Sequence, residues 1–333
     1  MRLKQAILTI ILPSLLLTAC AVEAEEGTYA SQDRVMQAWM RHNHPGISTY
    51  GSTGMYVLDM ETGAGPAVGD SSYVWVHYVK RTLDGDIVST NIQTLAEQLG
   101  DYSANSYYGS RIWRVDQDFL PDDLETLLKT MRGGGKAKVA LPASASAHAN
   151  SMYSAFSGTA ESINQVIDLT IDTVVTDIHD YQEQVMREYF RRNYQVADTA
   201  AEHLYFKLLS KGGSGSDTDT IPEGNNVSVR YIGRLLNGQV FDTNIEDTAK
   251  FYRIWKSTGS YNALTVSYYK DNEEQFNNNN SVVKGFGKAI QMMGFGDTAV
   301  TLFSSQLGYG EAGKSPVPEY APLIFWLYIE PRD

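Results

Sequence analysis

Val229-Arg230-Tyr231-Ile232-Gly233, followed by Leu236-Asn237-Gly238-Gln239-Val240-Phe241-Asp242-Thr243-Asn244, is the stretch on which the reading of the fold turns. Apolar and polar residues alternate on both sides of Asn237-Gly238, the pattern of two half-buried strands. Asn-Gly suits a two-residue hairpin turn, because both residues tolerate positive φ.

The same pattern occurs earlier in the chain. Val74-Trp75-Val76-His77-Tyr78 leads to Leu83-Asp84-Gly85-Asp86-Ile87-Val88-Ser89-Thr90-Asn91. Tyr78 precedes Gly85 by the same interval that separates Tyr231 from Gly238. Each hairpin is preceded by another strand, Met55 to Leu58 in one case and Leu204 to Leu208 in the other. A series of matches in one order points to an internal duplication. A length of 333 residues fits two domains.

Between the copies, Val166 to Val175 alternates and is rich in Val, Ile and Thr, as a closing strand should be. Asp180 to Val196 reads as an amphipathic helix with Tyr181, Val185, Tyr189 and Phe190 at helical spacing. Ser31 to His42 reads as a short helix capped by Ser31, with Val35, Trp39 and Met40 near one face. Gly212 to Ser216 reads as a loop, and Asp271 to Asn280, acidic and Asn-rich, as an exposed insertion.

The second copy resembles an FKBP-type peptidyl-prolyl isomerase domain over Leu204 to Pro331. Its strings stand in family order: Val229 to Gly233, Gly238 to Asp242, Val282-Val283-Lys284-Gly285-Phe286, Met293-Gly294-Phe295-Gly296, Leu307-Gly308-Tyr309-Gly310, and Val317-Pro318 with Pro322 to Phe325. The resemblance implies an α+β fold in which a curled antiparallel sheet wraps one short helix, expected at Phe286 to Met293. It implies an apolar pocket for proline walled by Tyr231, Phe241, Val282, Val283, Phe286 and Phe325. Tyr309 would offer its hydroxyl to a substrate carbonyl, and Asp242 would lie at the rim. Leu264 and Val317 stand at substrate-binding positions, Leu264 where the family usually has an aromatic.

An apolar, aromatic site suits that chemistry. Amide resonance sets a barrier of roughly 18–20 kcal/mol to rotation, and an X-Pro bond turns over in tens to hundreds of seconds unaided. No bond is broken, so neither nucleophile, metal nor cofactor is called for. The site must bind the twisted amide better than either planar form.

Three departures stand out. Phe286 replaces the Trp of many members, Asp247 stands where an arginine often partners the Asp, and the segment from Ile245 to Ser281 is long. The first copy departs further, with Val88-Ser89 in place of Phe241-Asp242. Residues 50–178 therefore read as a degenerate FKBP-like domain without the pocket, or as an unrelated β-rich domain. The division is then 1–19 leader, 20–49 tether and short helix, 50–178 first domain, 179–203 helical linker and 204–333 isomerase domain.

The amino terminus carries an export address. Arg2 and Lys4 precede the apolar run Ala6 to Leu17, which is too short to span a bilayer. Leu17-Thr18-Ala19-Cys20 resembles a bacterial lipobox, which implies cleavage before Cys20 and lipidation there. Cys20 is the only cysteine in the chain, so no intrachain disulfide or thiolate metal site can form. An ordinary secretory signal with a stray cysteine is the alternative. The lipoprotein reading places the chain in the cell envelope, at an outer membrane facing the periplasm or at the cell surface. Its partners would be exported, proline-containing polypeptides and the membrane itself. The acidic tether and the first domain read as a stalk that holds the pocket away from the lipid.

The net charge of −12 argues against nucleic acid, which needs a basic face. Gly133-Gly134-Gly135-Lys136 is not a phosphate loop, because Thr130 stands where the motif needs Gly and Ala137 follows the Lys. His42 and His44 lack the further ligands of a metal site. The helix from Asp180 is either a spacer packed on its neighbours or the arm of a homodimer. A non-catalytic chaperone or binding module on the same fold is the rival to the enzyme. A surface nutrient-binding protein would need an exposed aromatic platform.

Overall fold

The computed structural model describes residues 29–115, 120–146, 163–212, 220–270 and 272–332. The leader, Cys20, most of the tether, Asp271 and the loop beyond Gly212 lie outside the described residues.

Two sheets share one connectivity. The first holds β1 (Tyr56–Glu61), β2 (Tyr73–Arg81), β3 (Ile87–Thr90), β4 (Arg111–Arg114), β5 (Lys136–Leu141) and β6 (Gln165–Val175). Its antiparallel order is β1-β5-β6-β2-β3, with β4 also on β2. The second holds β7 (Leu204–Ser210), β8 (Asn226–Arg234), β9 (Val240–Thr243), β10 (Leu264–Ser267), β11 (Thr298–Phe303) and β12 (Leu323–Ile329). Read from its other end, its order is β7-β11-β12-β8-β9, with β10 on β8. The helices repeat the same scheme. After the hairpin comes α2 (Gln93–Leu99) in one copy and α6 (Glu246–Phe251) in the other. The core helices are α3 (Asp122–Leu128) and α8 (Lys284–Ile290), and the one-turn α4 (Ala143–Ser146) follows β5. The duplication is thus a repeat of topology as well as of sequence, and the fold is the α+β arrangement expected.

A buried amide fixes the hairpin in each copy. Asn91 Oδ1 accepts the Tyr78 N–H at 2.8 Å, while its Nδ2 donates to the Val76 carbonyl at 2.8 Å. Asn244 repeats this, accepting from Tyr231 N–H at 3.0 Å and donating to the Val229 carbonyl at 2.8 Å. Thr90 and Thr243 donate their hydroxyls to the carbonyls of Tyr78 and Tyr231. These side chains satisfy backbone groups left unpaired where the short strand ends.

The turns differ from the two-residue form. Gly85 N–H closes on the Thr82 carbonyl and Gly238 N–H on the Leu235 carbonyl. Only the glycines have positive φ, at 98° and 91°. Each loop is therefore a four-residue turn ending in a bulge at Gly, and the strand register shifts there.

Several helices also depart from the expected bounds. α1 runs Ala30–Asn43 behind Tyr29, which makes no side-chain cap bond, so Ser31 is inside the helix. It buries Met36 and Met40 against the first sheet and leaves Val35 53% exposed. α5 runs Ile178–Tyr194, started by Asp177, whose carboxylate accepts the N–H groups of His179 and Asp180. Its buried stripe is Gln182, Met186 and Phe190, with Tyr181 and Tyr189 half-buried beside it. Met186 and Phe190 pack on Tyr205, Val300, Leu302 and Ile324, so the outer face of the second sheet covers this helix.

The insertion read as exposed is mostly so, and it is folded as a helix, α7 (Glu273–Asn279), capped by Asn272. Its Phe276 is buried against α8, where a Cβ on Gly287 would stand 2.7 Å from the ring. One apolar residue in an Asn-rich run was enough to dock it. α8 itself starts earlier and ends earlier than expected, but Phe286, Ile290 and Met293 are all in the core.

The two halves touch. Tyr320 packs edge-on against Tyr73, and Arg114 donates to the Tyr320 hydroxyl at 3.1 Å. Arg111 pairs with Glu319 at 2.5 Å. The first domain therefore lies directly against the second. Among the described residues no helix is long and apolar enough to cross a membrane.

Candidate active site

The site grows from the centre of the second sheet. β12 pairs with β8 so that Phe325 stands opposite Gly233 and Leu327 opposite Tyr231. Period-two alternation sends Tyr231 and Phe325 to the concave face over α8. Gly233 makes room for the rings: a Cβ there would stand 2.8 Å from the Phe241 ring and 2.9 Å from the Phe325 ring. With no Cβ in the way, the two rings meet edge to face at 5.6 Å, and Phe286 meets Phe325 in the same manner at 5.2 Å. Tyr231 in turn lies edge-on to Phe286 at 5.6 Å. Phe303 stacks behind Phe325 at 5.8 Å. Each such pair contributes roughly 0.5–1.5 kcal/mol beyond its buried area. The rings thus brace one another into an apolar box.

Polar groups sit at one edge of this box. The Tyr231 hydroxyl donates to Asp242 Oδ2 at 3.0 Å. Burial pushes the Tyr231 phenol well above its ordinary value, and the Asp242 carboxylate adds to the shift. Burial raises the Tyr309 phenol too, with Asp242 again adding to it. Both phenols keep their protons at neutral pH and act as donors. A cavity of about 230 Å³ opens between Phe241, Asp242, Tyr309 and Val317.

The residues singled out from sequence fall into distinct places. Tyr231, Phe241, Phe286 and Phe325 form one aromatic cluster. Phe241, Asp242, Tyr309 and Val317 line the cavity. Val282 and Val283 are half-buried against the same core, Val283 as the residue before α8. Leu264 packs half-buried on this core from β10, opposite Val229, and is not among the residues lining the cavity. The partner that Asp242 lacks in an arginine is supplied within the site by the Tyr231 hydroxyl.

Five wall residues were not read from sequence: Asn105, Lys256, Lys314, Ser315 and Pro316. Lys256 and Lys314 line the cavity, and the Lys314 ammonium lies 5.3 Å from the centre of the Tyr309 ring. Asn105, from the first domain, lines it as well. The position of Lys314 between the Tyr309 and Val317 strings was a usable signal. Asn105 carried none, because its approach depends on how two domains pack.

Residues 218–329 match the family model described as FKBP-type peptidyl-prolyl cis-trans isomerase. The chain is 28% identical over 128 residues to a Haemophilus influenzae protein named probable FKBP-type peptidyl-prolyl cis-trans isomerase. That alignment covers 38% of this chain and 42% of the relative. The chain is also 28% identical over 120 residues to FK506-binding protein 1A of Aspergillus fumigatus, covering 36% of this chain and 86% of the relative. A peptidyl-prolyl cis-trans isomerase structure from Pseudomonas syringae pv. tomato aligns over 47% of this chain and 94% of its own, with 22% identity and a TM-score of 0.31.

Proposed function

We propose that this chain, whose residues 218–329 belong to the FKBP-type peptidyl-prolyl cis-trans isomerase family, isomerises X-Pro bonds in exported polypeptides. The carrying observation is the braced aromatic box with two protonated phenols and one carboxylate at its edge. A planar amide has more charge separation than a twisted one, so an apolar box favours the twisted form. The Tyr309 hydroxyl would hold a carbonyl as it turns, and Phe241, Phe286 and Phe325 would receive the proline ring. No bond forms or breaks, and the rate comes from differential binding.

A protease-coupled proline-peptide assay on the full chain tests this. Phe241→Ala and Asp242→Ala are each expected to lower kcat/KM at least about tenfold, the ratio for roughly 1.4 kcal/mol of transition-state stabilisation. Wild type and variants that are equally inactive would leave a non-catalytic binding module.

The localisation is part of the same reading. The Leu17-Thr18-Ala19-Cys20 string supports a lipid on Cys20, which would keep the isomerase near newly exported chains. Labelled palmitate incorporated by the wild type and not by Cys20→Ser is the expected result.

A further inference from the structure

The wall of the cavity is built from both domains. Asn105 reaches it on the segment between α2 and β4, and that segment is clamped to the second domain. The Gln239 side chain donates to the Ser106 carbonyl at 2.9 Å. Ala104 packs against Val240, Ala249 and Ile254, and Tyr107 packs on the second core. Tyr102 stacks on Tyr108 at 5.3 Å, and the Tyr108 hydroxyl accepts the Ser103 N–H, which stiffens the loop internally.

The charges on this wall run against the chain as a whole. The protein carries −12, yet the cavity shows two ammonium groups, Lys256 and Lys314. Among the described residues neither is ion-paired. The one carboxylate there, Asp242, accepts the Tyr231 hydroxyl and keeps its charge, so the two ammonium groups leave the wall positive by one. Two exposed cations at the mouth of a cleft attract a carboxylate and repel a cation.

We infer that Asn105, Lys256 and Lys314 form a flanking subsite that selects prolyl segments with an acidic side chain beside the proline. The inference rests on the prolyl-segment reading above. It gives the first domain a role in substrate choice: Asn105 is a specificity-determining residue supplied across the domain boundary.

The test uses the full chain and peptides with Glu, Gln or Lys immediately before proline. Isomerisation and, separately, fluorescence anisotropy of labelled peptides are measured at low and high salt. The wild type should favour Glu over Lys about tenfold at low salt, with the ratio collapsing toward one in 1 M salt. Lys256→Gln with Lys314→Gln should bring the ratio to about one, while the two Lys→Arg replacements keep it. Asn105→Glu should lower the preference part of the way toward one, with the Gln peptide reporting the integrity of the site. A wild-type ratio near one, or a ratio untouched by all of these variants, overturns the inference. No turnover together with an intact Glu preference in anisotropy would remove the isomerase reading and uphold the subsite.

Discussion

The two sheets are built to one plan and filled differently. In the second, Gly233 lets Phe241 and Phe325 meet. In the first, the strand pairing puts Lys80 opposite Ile167 where the second has Gly233 opposite Phe325. Lys80 is buried, and its ammonium lies 5.2 Å from the centre of the Tyr78 ring. Tyr78, the counterpart of Tyr231, stacks on the fully buried Trp113. Val88, in the place of Phe241, is exposed. Leu124 and Leu141 occupy the places of Phe286 and Phe303. Gly285, which admits the Phe303 ring, is matched by Asp123, whose carboxylate accepts the N–H groups of Ser52 and Thr53. One frame thus carries an aromatic box in one copy and an aliphatic core around one tryptophan in the other. Hairpin and topology do not make a pocket; a handful of ring-for-aliphatic exchanges and the missing Cβ atoms of Gly233 and Gly285 do.

The comparison breaks most sharply at its centre. Phe325→Ala should destabilise the second domain by about 3–5 kcal/mol, and Ile167→Ala the first by about 2–5 kcal/mol. Urea denaturation reads both losses. Isomerase activity should disappear only in the Phe325 variant under conditions where both proteins stay folded. If Ile167→Ala abolishes turnover as well, the first core does more than support its own domain.

The shared part of the frame should respond alike in both copies. Asn91→Ala and Asn244→Ala each leave a strand N–H and a carbonyl without their buried partner. Each should cost about 1–3 kcal/mol by denaturant melting. Unequal costs would show that the clamp survives in one copy for its geometry and not its energy.

The smallest effect separates the edges of the two sites. Tyr231→Phe removes the bond to Asp242 and should cost about 0.5–1.5 kcal/mol. Alkaline pH probes the same hydroxyl. Burial raises the Tyr107, Tyr231, Tyr309 and Tyr320 phenols in the native state. Their contribution is complete below the ordinary phenol value of about 10. Above it the unfolded chain releases these protons first, so stability falls as pH rises. Melts between pH 7 and 11 should stay level to about 9 and then decline, and Tyr231→Phe should soften the decline. A steady fall beginning near pH 7 would point to other groups.

Alternation in Val229 to Gly233, the turn glycines and the Thr-Asn pairs are local signals, and they were legible because strand period and turn chemistry act over a few residues. The buried face of α1 and the docking of α7 were not, since one helical stripe is chosen by the surface it meets. The aromatic box was legible as a set of names, and its bracing was not. Ring contacts at 5.2 to 5.6 Å arise from strand pairing and from the helix laid on the sheet, between residues far apart in the chain.

By itself the sequence determined the duplicated frame, the family strings of the second half, the lipobox-like string at Cys20 and four of the nine residues that line the cavity. Only the tertiary structure decided that Asp242 is held by Tyr231, that two lysines face the cavity, and that Asn105 completes its wall. The physical reason is distance along the chain. Periodicity reports which face of an element is buried, while charge at a cleft and contact between domains depend on side chains that meet only after both sheets have closed.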